Sequence, residues 1–159
     1  MVSGAGAGAG FYGNWWRVKT LTDYEKYIRT EELLALQKPP EKLACHDELQ
    51  FQTVHQVAEL WMKLCEHELV HAAAEMRAGR VTPAVRALHR VRAVQLLLID
   101  QLALLDTMAP TDYMTIRSGL GRGSGQESPG FRRMMQLPDE IWPAFEALLA
   151  ARGATLRAI

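Results

Sequence analysis

Three residues on one predicted helix have the types and the spacing of a site that could carry acid–base chemistry. His55 and Glu59 are four positions apart, and Phe51 precedes His55 by the same interval. Side chains at this interval lie along one side of an α-helix. A carboxylate beside an imidazole orients the ring, which suits a general base or a hydrogen-bond acceptor. The alternative interpretation is a structural ion pair without any chemistry.

The same segment contains a second pattern, H-E-L-V-H at 67–71, that is typical of a zinc site. Two histidines at this spacing on a helix bind one metal ion, as in the H-E-x-x-H pattern of zinc proteases. Such a protease also needs a third ligand and a strand that binds the substrate, and the sequence predicts no strand. We therefore interpret His67 and His71 as part of a polar helix face.

A third pair, Tyr113 and Arg117, suits the recognition of a carboxylate. A guanidinium holds a carboxylate through two parallel hydrogen bonds, and a tyrosine hydroxyl adds a third. The alternative role for Arg117 is to cap the end of a short helix. The glycine-rich segment 119–130 lacks the G-K-[S/T] ending of a phosphate-binding loop, so we expect no nucleotide site there.

Start and stop signals predict helices that position these residues, and no segment alternates like a strand. A capping box of Thr22 and Glu25 opens the first helix, Gly79 follows the second, and Pro110 ends the third. The predicted helices are 22–37, 46–78, 82–109, a short helix capped by Thr111 and Asp112, and 142–151. The fold class is therefore all-α, a helical bundle built on two long antiparallel helices.

Length and charge limit the class of protein. The chain has 159 residues, with 18 Lys and Arg against 18 Asp and Glu. Residues 1–14 are rich in Gly and Ala and are predicted to form a flexible tail. Residues 15–159 are predicted to form a single domain. Aromatic residues within 11–16 are expected to dock on this domain or on a second subunit. The zero net charge argues against a nucleic-acid partner.

The apolar runs and the cysteines indicate where the protein works. No apolar run is long enough to span a membrane, so we expect no membrane partner. Cys45 and Cys65 form neither a disulfide framework nor a C-x-x-C metal clip. This cysteine usage is typical of a reducing compartment and predicts a cytoplasmic protein.

The motifs around these residues resemble the tryptophan 2,3-dioxygenase family. The helix motifs are H-D-E-L-Q-F at 46–51, H-Q at 55–56, E-L-W-M-K at 59–63 and H-E-L at 67–69. They are similar to the family's H-D-E-x-x-F…H-Q…E-L-W-x-K…H-E-L run. T-M-A-P at 107–110, with D-Y at 112–113, I-R at 116–117 and Leu120, is similar to its T-M-x-P…D-[FY]…F-R…L block. Ser124, Gly125 and Ser128 match its S-G-F-Q-S loop, and Tyr24 and Tyr27 its early Y-x-x-Y.

The resemblance, which runs from about Leu21 to Gly153, implies an all-α haem protein. Members insert both atoms of O₂ into the indole ring of L-tryptophan, and a related indole or aryl amino acid is an alternative substrate. His55 would be the catalytic residue and accept a hydrogen bond from the indole N–H. The implied substrate-binding residues are Phe51, Tyr113, Arg117, Ser124, Gly125, Tyr24 and Tyr27. The two tyrosines would reach a neighbouring subunit, which implies a homo-oligomer.

Two departures from the family pattern leave the function open. Gln126 and Glu127 stand where the family has Phe and Gln, and nothing matches the proximal histidine of its C-terminal half. The iron ligand would then be His67, His71, His89 or a residue of a second subunit. The alternatives are a haem-free enzyme or binding protein with the same pocket, and a half-domain that needs a partner chain. A shortened member also suggests specialised biosynthesis.

Overall fold

The computed structural model describes residues 20–154, so the predicted tail at 1–14 and the aromatic residues at 11–16 lie outside it. The helices are α1 (Asp23–Ile28), α2 (Thr30–Leu34), α3 (Glu48–Arg77), α4 (Val81–Asp100), α5 (Leu102–Leu105), α6 (Pro110–Gly119) and α7 (Pro129–Ala151). Short 3₁₀ turns occupy Pro40–Lys42 and Gly125–Glu127. Residues 20–154 contain no strand, which confirms the predicted all-α fold.

Helix α3 is the spine of the bundle and packs against α4 and α7. Small residues dominate one part of this core, where the helix backbones approach closely. This cluster consists of Ala72, Ala73, Met76, Ala84, Ala87, Ala144 and Leu148. A second buried cluster consists of Cys65, Val91 and Val94. The end of α3 therefore meets the start of α4, which confirms the two long antiparallel helices.

The third long helix of the bundle, α7, begins 13 residues before the predicted start at Trp142. Two prolines, Pro138 and Pro143, lie inside it. A proline inside a helix removes a backbone hydrogen bond, which disfavours a helix on local grounds. The packing of Leu137 and Ala144, both almost completely buried, outweighs this local preference.

The first predicted helix is broken, and the prediction of one continuous helix over 22–37 is wrong. The capping box of Thr22 and Glu25 is present as predicted. Arg29 then adopts a left-handed backbone conformation with φ of 55° and ψ of 50°, which ends α1. Helix α2 follows directly and ends at Leu34.

The third predicted helix ends early, and the fourth begins earlier than predicted. Helix α4 stops at Asp100 instead of continuing to Pro110, and the short α5 follows it. Pro110 is the first residue of α6, so it starts this helix instead of ending the one before. The fixed φ of proline and its missing N–H both suit the first position of a helix.

In the part of the chain that the structure describes, no single helix is both long and apolar enough to span a membrane. Val81–Leu105 and Pro110–Gly119 reach that length and composition only as a pair, and this pair is bent by 107°.

Candidate functional site

An open cleft of about 360 Å³ separates α3 from the segment that contains α5 and α6. Its walls are largely apolar and aromatic, as in sites that bind small organic molecules. The lining residues are Phe51, Leu105, Asp106, Met108, Pro110 and Tyr113. The structure thus brings together two of the predicted site residues, Phe51 and Tyr113, which lie far apart in the sequence.

Side chains at the start of α3 hold the far wall of this cleft. The carboxylate of Asp47 accepts a hydrogen bond from the backbone N–H of Ala109 at 3.3 Å. The side-chain amide of Gln50 donates to the carbonyl of Leu104 at 2.5 Å. Asp47 and Gln50 both lie about one helical turn or less from Phe51. The start of α3 therefore carries one wall of the cleft and also holds the segment that forms the opposite wall. Asp47 and Gln50 were not predicted as site residues, because local sequence patterns give no sign of backbone partners this far away in the chain.

His55 stacks on the aromatic wall of the cleft and contacts backbone on the same helix. Its ring centroid lies 4.1 Å from that of Phe51, with 35° between the planes. Its Nδ1 atom lies 2.7 Å from the carbonyl oxygen of Phe51. Because a carbonyl only accepts, Nδ1 carries the hydrogen, and Nε2 of the neutral ring is left as an acceptor. The His55 residue is exposed.

The predicted orientation of His55 by Glu59 is wrong. The carboxylate of Glu59 accepts hydrogen bonds from the hydroxyl of Ser128 and, at 3.0 Å, from the backbone N–H of Gly130. Both partners belong to the start of α7. Glu59 therefore joins α3 to α7, and the backbone of Phe51 orients the imidazole.

Arg117 lies one helical turn beyond Tyr113 on α6 and does not line the cleft. Its Nη1 atom donates to the carbonyl of Gly121 at 3.1 Å, just past the end of the helix. This bond fits the alternative prediction that Arg117 caps a short helix. A guanidinium carries five N–H donors, and the described residues use one of them. The Tyr113 side chain is 46% exposed.

Gly125 begins the second 3₁₀ turn and Ser124 is its N-cap residue, and a capping box closes the turn. The backbone N–H of Ser124 donates to the carboxylate of Glu127 at 3.1 Å, and its hydroxyl accepts from the N–H of Glu127. Glutamate and glutamine serve equally well at this capping position, so Glu127 keeps the geometry that the family's Gln would give. The substantive departure is Gln126, whose side chain is exposed.

The two early tyrosines are not part of the cleft. Tyr24 and Tyr27 lie on α1 and are 70% and 88% exposed. Helix α1 packs on α2, and neither tyrosine is among the residues that line the cleft. The structure therefore does not bring them together with Phe51 and Tyr113 within one chain.

Three buried glutamates on α3 are each paired with a cation from another segment. The pairs are Glu48 with Lys38 at 2.5 Å, Glu68 with Arg90 at 2.7 Å and Glu75 with Arg80 at 2.5 Å. The hydrogen bond from each cation holds the pKa of the carboxyl below its ordinary value. Glu68 is the glutamate of H-E-L-V-H, and this ion pair engages it in packing α3 on α4. Within residues 20–154 no group of three or more His, Cys, Asp or Glu side chains is arranged to hold a metal ion.

Comparison with known proteins identifies relatives of one kind. A family model described as tryptophan 2,3-dioxygenase matches residues 15–137. A protein named tryptophan 2,3-dioxygenase from Erythrobacter litoralis is 43% identical over 111 residues, which cover 70% of this chain and 41% of the relative. One from Caulobacter vibrioides is 40% identical over 72% of this chain and 43% of its own length. One from Pseudomonas aeruginosa is 39% identical over 135 residues, which cover 84% of this chain and 42% of the relative. The chain thus spans about two fifths of the length of these relatives.

Proposed function

The chain belongs to the tryptophan 2,3-dioxygenase family, and we propose that its described helices form the substrate-binding part of a haem-dependent dioxygenase acting on L-tryptophan. One observation carries the proposal. The ring of His55 stacks on Phe51, a residue of the cleft wall, and the bond from its Nδ1 to the carbonyl of Phe51 leaves Nε2 of the neutral ring as an acceptor. An aromatic wall next to a ring with a free acceptor suits an indole, whose N–H is a donor and whose ring is apolar.

In this proposal each side chain binds a different part of the amino acid. Phe51 packs on the indole ring, and His55 Nε2 accepts the hydrogen bond from the indole N–H. Arg117 donates two hydrogen bonds to the carboxylate, and the hydroxyl of Tyr113 donates a third. Ser124 and Gly125 follow Arg117 in the loop and would lie at the edge of the site. These contacts orient the indole ring, which is the contribution of this part of the chain to the reaction.

The described residues do not by themselves fit a haem. A haem needs an axial ligand that projects into an apolar cavity between helices. All five histidines, at 46, 55, 67, 71 and 89, are exposed, and none of them is among the residues that line the cleft. This exposure gives no support to His67, His71 or His89 as the ligand. We therefore propose that the axial ligand comes from protein outside residues 20–154.

The exposure of Tyr24 and Tyr27 supports a homo-oligomer. Tyr24 and Tyr27 lie three positions apart on α1 and are 70% and 88% exposed, so both rings are accessible to a second subunit. We propose that both tyrosines complete the cleft of a neighbouring copy of the chain, where a tyrosine presents an apolar ring and a polar hydroxyl.

Two measurements test the proposal. The chain is purified with haem supplied, and its absorption spectrum is recorded with and without L-tryptophan. Calorimetry then measures L-tryptophan binding with and without haem. We expect L-tryptophan binding to be lost in Arg117→Ala and retained in Arg122→Ala. Arg122 serves as the control, because it is an exposed arginine five positions further along the chain.

Each outcome selects one form of the function. A Soret band that shifts with L-tryptophan supports the haem-dependent form. Binding without haem, with turnover lost in His55→Ala, supports the haem-free enzyme. No binding of L-tryptophan with or without haem refutes the proposed function and favours a half-domain that needs a partner chain.

A further inference from the structure

Glu59 makes an unusually close junction between α3 and the start of α7. Its carboxylate accepts from the hydroxyl of Ser128 and from the N–H of Gly130. A Cβ atom added to Gly130 would lie 2.6 Å from Oε2 of Glu59 and 2.9 Å from Cε of Met62. Ordinary contacts between such atoms are longer than 3.4 Å. The added Cβ would also lie 3.0 Å from Cβ of Met62, which is tied to the α3 backbone, so the close approach favours glycine at position 130.

The segment 121–128 runs from this junction back to Arg117. At its first residue, the carbonyl of Gly121 accepts from the guanidinium of Arg117. At its last residue, Ser128 donates to Glu59. Between them the capping box of Ser124 and Glu127 makes the turn compact. A side chain thus holds each end of the segment, and one of the two is the predicted carboxylate-binding arginine.

Different contacts hold segment 121–128 and the main body of α7 on α3. Arg133 on α7 donates to Glu66 on α3 at 2.5 Å, two turns beyond Glu59. Leu137, one turn further along α7, is completely buried. Loss of the Glu59 carboxylate therefore leaves α7 docked on α3 and releases mainly the segment before it.

We propose that Glu59 is a positioning residue for the carboxylate of the substrate. It fixes segment 121–128 on α3, and the Gly121 carbonyl in turn orients the guanidinium of Arg117 before the ligand arrives. Orientation before binding strengthens binding, because the entropic cost of ordering the side chain is met on folding. The inference rests on the proposed function for the role of Arg117, whereas the link from Glu59 to the segment does not.

Hydrogen exchange of the free protein tests that link without any ligand. We compare Glu59→Ala with Glu66→Ala, a control that removes the other carboxylate joining α3 to α7. Hydrogen bonds to a charged group are strong enough that their loss should raise exchange of the amides over 124–131 about tenfold or more. The control should leave these amides unchanged. Equal exchange of these amides in the two variants and the wild type would overturn the proposal, as would an equal rise in both variants.

A milder variant covers the case in which Glu59→Ala does not fold. Glu59→Gln keeps the size of the side chain and one acceptor oxygen for the N–H of Gly130. We expect it to raise exchange over 124–131 by less than Glu59→Ala. A folded Glu59→Gln protein with exchange identical to wild type and unaltered L-tryptophan binding would count against the proposal.

Two ligands then test the effect on Arg117. Calorimetry with L-tryptophan and with tryptamine, which lacks the carboxylate, compares the wild type with Glu59→Ala. We expect about a five- to tenfold weaker affinity for L-tryptophan and no change for tryptamine, because only the carboxylate needs the oriented guanidinium. Equal weakening for both ligands would refute a role through Arg117. If the wild type binds neither ligand, the proposed function fails, and the exchange comparison decides the link between Glu59 and the segment.

Discussion

The close approach at Gly130 gives the sharpest prediction for stability. In Gly130→Ala the added methyl group would lie 2.6 Å from the Glu59 carboxylate and 3.0 Å from Cβ of Met62. Cβ of Met62 is fixed by its helix backbone, so relief requires α7 to move away from α3. Overpacking of this kind costs about 1–3 kcal/mol. Loss of the hydrogen bond from the Gly130 N–H to a charged group adds about 1.5–3 kcal/mol.

One opposing effect lowers this total. Alanine is favoured over glycine within a helix by about 1 kcal/mol. We therefore expect a net loss of about 1.5–5 kcal/mol in the free energy of unfolding. For a chain of this length that corresponds to a fall of about 3–20 °C in Tm.

The assay is thermal and urea unfolding followed by circular dichroism at 222 nm. Gly119→Ala is the matched control, because Gly119 also lies in a helix and an added Cβ there meets nothing within 4 Å. We expect this control to be unchanged or stabilised by about 1 kcal/mol. A Gly130→Ala protein as stable as the wild type would show that the junction between α3 and α7 is looser than described.

Two further predictions concern the core and the pH dependence. Leu137→Ala should cost about 2–5 kcal/mol, because Leu137 is completely buried, whereas Met135→Ala, at a side chain 66% exposed, should change the unfolding free energy little. The pKa of Glu48 and of Glu68 is lowered in the folded state by hydrogen bonds from Lys38 and Arg90. The stability from both is therefore complete above their ordinary pKa, near 4.5, and is lost as the pH falls through the lowered values. Tm measured from about pH 7 to pH 3 should fall less steeply in Glu68→Gln, and an unchanged slope would contradict this assignment.

The fold class and one wall of the site follow from local patterns in the sequence. The capping box at Thr22, the length of the 46–78 segment and Gly79 are all local signals, and the structure confirms each of them. The extent of α7 could not be predicted in this way, because Pro138 and Pro143 disfavour a helix locally. Only packing against α3 explains why the chain is helical there.

The partners of Glu59 show the second limit of sequence reasoning. The spacing of His55 and Glu59 predicts a pair within one helix, but the actual partners lie 69 and 71 positions away. Side-chain spacing identifies which residues share a face of a helix, and it does not identify what lies opposite that face. The cytoplasmic location, the lack of a nucleic-acid partner and the role in biosynthesis remain predictions of the sequence.

The junction at Glu59 also has a consequence for how the chain folds. The first turn of α7 contains no acidic residue, although the partial positive charge at a helix N-terminus is stabilised by one. Glu59 provides that negative charge from α3, together with an acceptor for one of the N–H groups that a helix start leaves unbonded. Ser128 caps the start of α7 locally. The negative charge at this helix start is supplied only when α3 is docked on α7. The N-terminal turn of α7 therefore reaches its full stability only in the docked bundle, where Glu59 supplies both the charge and the acceptor.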